Sequence, residues 1–146
     1  MGLMNNIIVD ANIIISSLIK KNSEIRQCLL RDDVNFFSPE FVLYELTTHR
    51  IKIERCSELS GWEIDVYFHN ILRNLKFIRP DLISKNNMQK ALDLCKDIDE
   101  KDTIYVALTL ELRGRLWTGD KKLINGLEKK NFKQTITTAI LREFTF

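Results

Sequence analysis

The chain has 146 residues, with 22 Lys and Arg against 20 Asp and Glu, 45% hydrophobic residues, 5 Gly and 2 Pro. The apolar share is too high, and the net charge of +2 too small, for a disordered chain, and Gly and Pro are too few for a low-complexity or collagen-like one. No apolar run approaches the ~20 residues of a membrane helix, so we expect one soluble domain over residues 1–146, without membrane contact. Met1-Gly2-Leu3 ahead of Met4 reads as a cloning remnant before the natural start. No basic region followed by an apolar core opens the chain, and Cys28, Cys56 and Cys95 form no CxxC pair. Both features predict a cytoplasmic protein with reduced thiols, each a small core hydrophobe.

In chain order, Ile7-Ile8-Val9 is a β-branched run of the kind buried in a parallel sheet, ending at Asp10. A short helix is expected from Asn12, with apolar residues at 13, 14, 15, 18 and 19. A second is expected after Ser23 as N-cap, with Ile25, Leu29 and Leu30 inward. Val34 to Phe37 reads as the next strand. Ser38-Pro39-Glu40 reads as a helix start, Ser capping and Pro in the first position, with Phe41, Leu43, Tyr44 and Leu46 as the apolar faces. From Cys56 to Leu75 the spacing of Trp62, Val66, Phe68, Leu72 and Leu75 predicts a long helix or a helix pair. Lys76-Phe77-Ile78 follows as a strand. Ser84 caps a helix carrying Met88, Leu92 and Cys95, and a helix from Thr103 to Leu112 closes at Gly114, expected in the left-handed conformation. Arg115-Leu116-Trp117, a helix from Lys121 to Lys130, an edge strand at Gln134-Thr135-Ile136 and a terminal helix to Phe144 complete the series. Strands alternating with helices define an α/β fold with a mostly parallel sheet covered on both sides.

Several chemistries lack their signatures. The glycines form neither a phosphate-binding loop nor a GxGxxG turn, there is no GxSxG, and His49 and His69 are isolated. Carboxylates remain. In an open parallel sheet the functional crevice lies beyond the carboxyl ends of the strands. Asp10 ends the first strand, where a charge has few structural uses, and Asp120 follows the Trp117 strand after a short turn. Asp102 opens a helix, either as an ordinary first-turn acid or as a site residue, and Glu45 is either a solvent-facing residue or a functional one. If the four converge, carboxylates ~5 Å apart repel by about 3 kcal/mol per pair at an effective dielectric of ~20. Such a cluster takes up protons or a cation, and oxygen donors without His or Cys favour Mg²⁺ or Mn²⁺ and phosphoryl chemistry. Lys121 and Lys122 behind Asp120 are either a solvated helix face or contacts to phosphates.

Asp10-Ala11-Asn12 after an apolar strand, Ser38-Pro39-Glu40 before a helix bearing Glu45, Asp99-Glu100-Lys101-Asp102-Thr103 leading into Ile104–Leu108, and Thr118-Gly119-Asp120 together resemble the PIN-domain ribonucleases over essentially the whole chain. The resemblance implies a three-layer α/β/α sandwich with a four- to five-stranded sheet. It implies a Mg²⁺- or Mn²⁺-dependent endoribonuclease whose acidic quartet is Asp10, Glu45, Asp102 and Asp120, with Asn12 and Thr118 orienting the acids. Asp97 and Asp99 stay open as contributors, Asp102 being preferred because the following helix sets the register. Many small stand-alone members are toxins of type II pairs and others are processing or quality-control nucleases, so RNA, an antitoxin protein and a second copy of the chain are the partners the resemblance suggests. Two alternatives stand beside it: a catalytically silent adapter for RNA or protein, and a haloacid-dehalogenase-like phosphatase, against which Asn12 speaks because those enzymes carry a second Asp there.

Overall fold

The computed structural model describes residues 6–144, so the remnant expected at 1–3 lies outside them. The strands are β1 (Asn6–Val9), β2 (Asn35–Pro39), β3 (Leu75–Ile78), β4 (Arg115–Trp117) and β5 (Thr135–Ile136). They form one sheet in the order β3-β2-β1-β4-β5, with every neighbouring pair parallel. The helices are α1 (Ala11–Ser17), α2 (Glu24–Leu29), α3 (Phe41–Thr48), α4 (Arg50–Cys56), α5 (Gly61–Arg73), α6 (Lys85–Cys95), α7 (Thr103–Leu112), α8 (Lys121–Lys129) and α9 (Thr138–Glu143). The chain runs outward from β1 to β3, then returns to β4 and β5. Right-handed crossovers therefore put α1–α5 on one face and α6–α8 on the other, which makes the α/β/α sandwich. No helix among the described residues is long and apolar enough to cross a membrane.

The core is centred on β1. Ile7, Ile8 and Val9 are fully buried, and burial of each such side chain is worth about 1.5–3 kcal/mol. α7 packs across β1, β2 and β4, with Val106, Ala107 and Leu108 completely covered. Trp117 is core, its ring 5.8 Å from that of Phe36 and its indole N–H donating to Thr138 Oγ1 at 3.0 Å.

The structure corrects several local expectations. Ser38 and Pro39 do not open a helix; both belong to β2. The Ser38 hydroxyl donates to the Val9 carbonyl at 2.6 Å, so it is not free to cap. The Glu40 amide bonds to the Ile78 carbonyl, so by the alternation of a parallel ladder the missing N–H of Pro39 falls on the side where β1 has already ended. α3 then buries Val42 and Leu46, four residues apart, and leaves Phe41, Leu43 and Tyr44 exposed. In α2, Leu30 is exposed and Arg26 turns inward, its guanidinium donating to the carbonyls of Ser17, Lys20 and Lys21 at 2.5–3.0 Å beneath the Tyr67 ring. The Cys56–Leu75 segment holds one helix, α5: α4 ends at Cys56 and Leu75 already belongs to β3, with Ile64 and Ile71 buried in α5 and Trp62 on the surface. Cys28 and Cys95 are buried, whereas Cys56 is exposed at the end of α4.

Gly114 is the remaining correction. The left-handed residue after α7 is Arg113, at φ 50°, and no described glycine has positive φ. Gly114 is required for another reason. A Cβ there would stand 2.3 Å from the Asn6 carbonyl oxygen, a backbone atom that cannot move aside. Gly114→Ala is expected to push α7 and β4 off β1 and cost about 1–3 kcal/mol, read as a lowered midpoint in urea or heat.

Candidate active site

The sheet order places the site. Between β1 and β4 the direction of winding reverses, which is where open α/β sheets bind ligands. Val9 lies beside Trp117 in register, so Asp10 and Thr118 leave the sheet side by side. α1 starts at once after Asp10, and α8 after Asp120. Both acids are N-caps: Asp10 Oδ1 accepts from the Ile13 amide at 3.0 Å, and Asp120 Oδ1 from the Leu123 amide at 3.2 Å. Asp10 therefore has a structural use that its sequence context did not reveal. It caps a helix and aims its carboxylate at the sheet's carboxyl edge.

Thr118 joins these two acids. It is buried, its Oγ1 accepts the Asp120 amide at 3.1 Å, and its hydroxyl favours the charged form of Asp10. Burial pushes the Asp10 carboxyl above its ordinary range, with the bonds from Thr118 and Ile13 opposing and the charge of Glu45 adding to the rise. Thr118 thus stands beside both acids. Asn12 does not do so through its side chain, which is exposed and makes no hydrogen bond to the acids among the described residues; its backbone amide is what reaches Asp10.

Glu45 comes from α3, just over one turn in, and is half-buried. The Tyr105 hydroxyl donates to its Oε1. Tyr105 is itself buried, and its phenol is held far above the ordinary value, first by burial and then by Glu45. Sequence reasoning passed over Tyr105 as part of an apolar helix. The available signal was its place three residues after Asp102, on the same side of α7.

Asp102 is half-buried at the start of α7, and its side chain caps nothing. Its pKa is raised to about 7, first by burial, then by the charges of Asp99, Asp10, Asp120 and Glu45. Those named neighbours place all four predicted acids within one electrostatic field. The nearby acids go elsewhere. Asp97 pairs with Lys130, and Asp99 accepts the Lys101 amide at 3.0 Å within its own loop, acting on Asp102 through charge. Lys121 and Lys122 are exposed on the first turn of α8, with Lys122 turned to a shallow cleft shared with Asp97 and Lys129.

None of Asp10, Glu45, Asp102 and Asp120 has a cationic partner among the described residues. Nor do any three His, Cys, Asp or Glu side chains among them stand so as to hold one metal ion as placed. The donor set nonetheless fits a hard divalent cation: four carboxylates, no nitrogen or sulfur, and repulsion that a cation would relieve.

Fold and site together define a doubly wound α/β protein with carboxylates at its switch point. A family model described as PIN domain matches residues 8–140, and the chain belongs to the PIN-domain family. No curated protein matches it. PIN domains are typically nucleases and generally use divalent metal ions. Membership sets aside the phosphatase alternative.

Proposed function

We propose that the protein is an endoribonuclease that hydrolyses RNA phosphodiester bonds with a divalent cation at Asp10, Glu45, Asp102 and Asp120. What supports the proposal is that Asp10 leaves the sheet at the switch point and that the charges of Asp10, Asp120 and Glu45 all bear on Asp102, with no ion pair to any of the four among the described residues. Carboxylates crowded in this way are costly to fold, and the cost is offset only when something positive binds.

When bound, Mg²⁺ or Mn²⁺ supplies Lewis-acid polarisation of the phosphodiester and a water of lowered pKa. The chain supplies the rest. Asp10 is the fixed member, pinned by its cap and by Thr118. Glu45 is aimed by the Tyr105 hydroxyl. Asp120, exposed on the rim, is the adjustable member. Asp102, titrating near neutral pH in the free protein, gives up its proton readily when positive charge enters the groove. The reaction adds water across the P–O bond, releasing a phosphomonoester and a ribose hydroxyl. Lys121 and Lys122 stand next to Asp120 for contacts to flanking phosphates.

Tyr105→Phe tests the aim of Glu45. It keeps the buried ring and removes only the donor, so the expected result is a fall of about 10-fold in kcat with KM and melting temperature little changed. The proposal as a whole is tested with end-labelled single-stranded RNA in Mg²⁺, Mn²⁺ or EDTA. Cutting confined to the metal lanes supports it. RNA bound but uncut under every condition would assign the fold to an adapter.

A further inference from the structure

Phe41 and Tyr44 leave an uncovered ring pair beside the carboxylates. They sit three residues apart on α3, with ring centroids 5.6 Å apart and planes inclined by 28°. Phe41 is 46% and Tyr44 65% exposed, while Val42 and Leu46 do the burying for this helix. The rings line a cleft of about 620 Å³, within the ~300–1,000 Å³ range of ligand pockets. Glu45 lies on the same wall, and Pro80, Met88 and Lys101 are part of the lining.

The cleft thus meets the candidate site at Glu45, which lines it. Its chemistry is mixed in a particular way: aromatic and apolar surface, Lys101 and His49, and the carboxylates of Glu45 and Glu100. A planar aromatic group tied to a phosphate matches each part in turn. Every nucleobase offers a π-face, and stacking on aromatic side chains recognises it without reading sequence. A base paired in a duplex has both faces covered and cannot be taken up in this way.

We propose that Phe41 and Tyr44 form a stacking platform for one unpaired nucleobase of the RNA strand whose phosphodiester lies at the acids. The proposal rests on the nuclease reading and adds to it where on the chain an unpaired base is held. Lys101 then meets the strand's backbone at the same cleft.

The test uses the whole chain with Phe41→Ala, Tyr44→Ala and the conservative Tyr44→Phe, all at exposed positions. Two readouts are taken on a short labelled single-stranded RNA: binding by fluorescence anisotropy, and KM and kcat of cleavage with Mn²⁺. Each alanine variant is expected to weaken binding and raise KM by roughly 5- to 100-fold with kcat nearly constant. Tyr44→Phe should stay within about threefold of wild type, and the same sequence as a duplex should bind weakly and show no dependence on either ring. Alanine variants with wild-type affinity and KM would overturn the platform while leaving wild-type cutting, and so the nuclease reading, intact; the exposed rings would then be a surface for a protein. If the wild type binds RNA but does not cut, the nuclease reading fails, and the binding titration still decides the platform by the same contrast. No RNA binding by the wild type overturns it.

Discussion

Asp102→Asn is expected to do two opposite things: to raise the stability of the metal-free protein at neutral pH, and to reduce RNA cleavage by at least about 100-fold. The carboxyl is held up to about 7 by burial and by four neighbouring acids, against 3.8 for an unperturbed group. The folded protein thus binds the Asp102 proton more tightly than the unfolded chain does. That contribution is complete below pH 3.8, declines above it, and is lost as pH rises through about 7. Above pH 7 the charged Asp102 is a burden on the fold, which the amide removes. Allowing for solvent screening at a half-open carboxylate, the gain is of order 1–2 kcal/mol, or ~3–8 °C in Tm at pH 8. At pH 4 the two proteins should melt nearly together. Mn²⁺ should stabilise the wild type more at pH 8 than at pH 6, and the variant less at either. Thermal melts at the two pH values, with and without Mn²⁺, check all of this. Equal melting of both proteins at pH 8 without metal would show that Asp102 is not under the repulsion assigned to it.

Asp10 requires a different comparison, because it caps α1 as well as facing the groove. Asp10→Asn keeps a side-chain oxygen for the Ile13 amide, since Asn is as good an N-cap as Asp. Asp10→Ala removes the cap and should cost about 0.5–2 kcal/mol more. Both remove the charge. Cleavage should therefore be lost equally, by about 100-fold or more, in two proteins of unequal stability. If activity instead followed stability, with the asparagine variant active and the alanine variant not, Asp10 would be a helix cap and nothing further.

Much of the fold was legible in the sequence because its determinants are local. Ile7-Ile8-Val9 could only be a buried strand, and Ser23 and Ser84 cap helices where their spacing indicated. The failures are places where a distant partner overrides a local preference. Ser38 is an excellent cap by type, but the Val9 carbonyl takes its hydroxyl. Gly114 looks like a helix terminator, but its need is set by the Asn6 carbonyl more than a hundred residues away in the chain. Leu30 and Arg26 exchange places because three carbonyls, one at the end of α1 and two in the loop after it, require a donor that leucine lacks.

The candidate site shows the same division. Asp10, Asp102 and Asp120 stand out because each sits where a strand ends or a helix begins. Tyr105 and the Phe41–Tyr44 pair did not, because aromatics in an apolar helix read as core, and only the tertiary packing of each helix tells which ring is buried and which is left out. The sequence supplied the acids. Their aim, spacing and neighbours are tertiary.

The central claim is that the carboxylates at the β1–β4 switch point cut RNA with a divalent cation. The most direct measurement is single-turnover cleavage of a mixed single-stranded RNA pool by the wild type and Asp10→Asn, side by side, in Mg²⁺, Mn²⁺ and EDTA. The account predicts cutting by the wild type in at least one metal, none in EDTA, and a loss of about 100-fold or more in the variant, with both proteins equally folded by circular dichroism. Cutting that persists in EDTA, or a folded Asp10→Asn protein as active as the wild type, would contradict it.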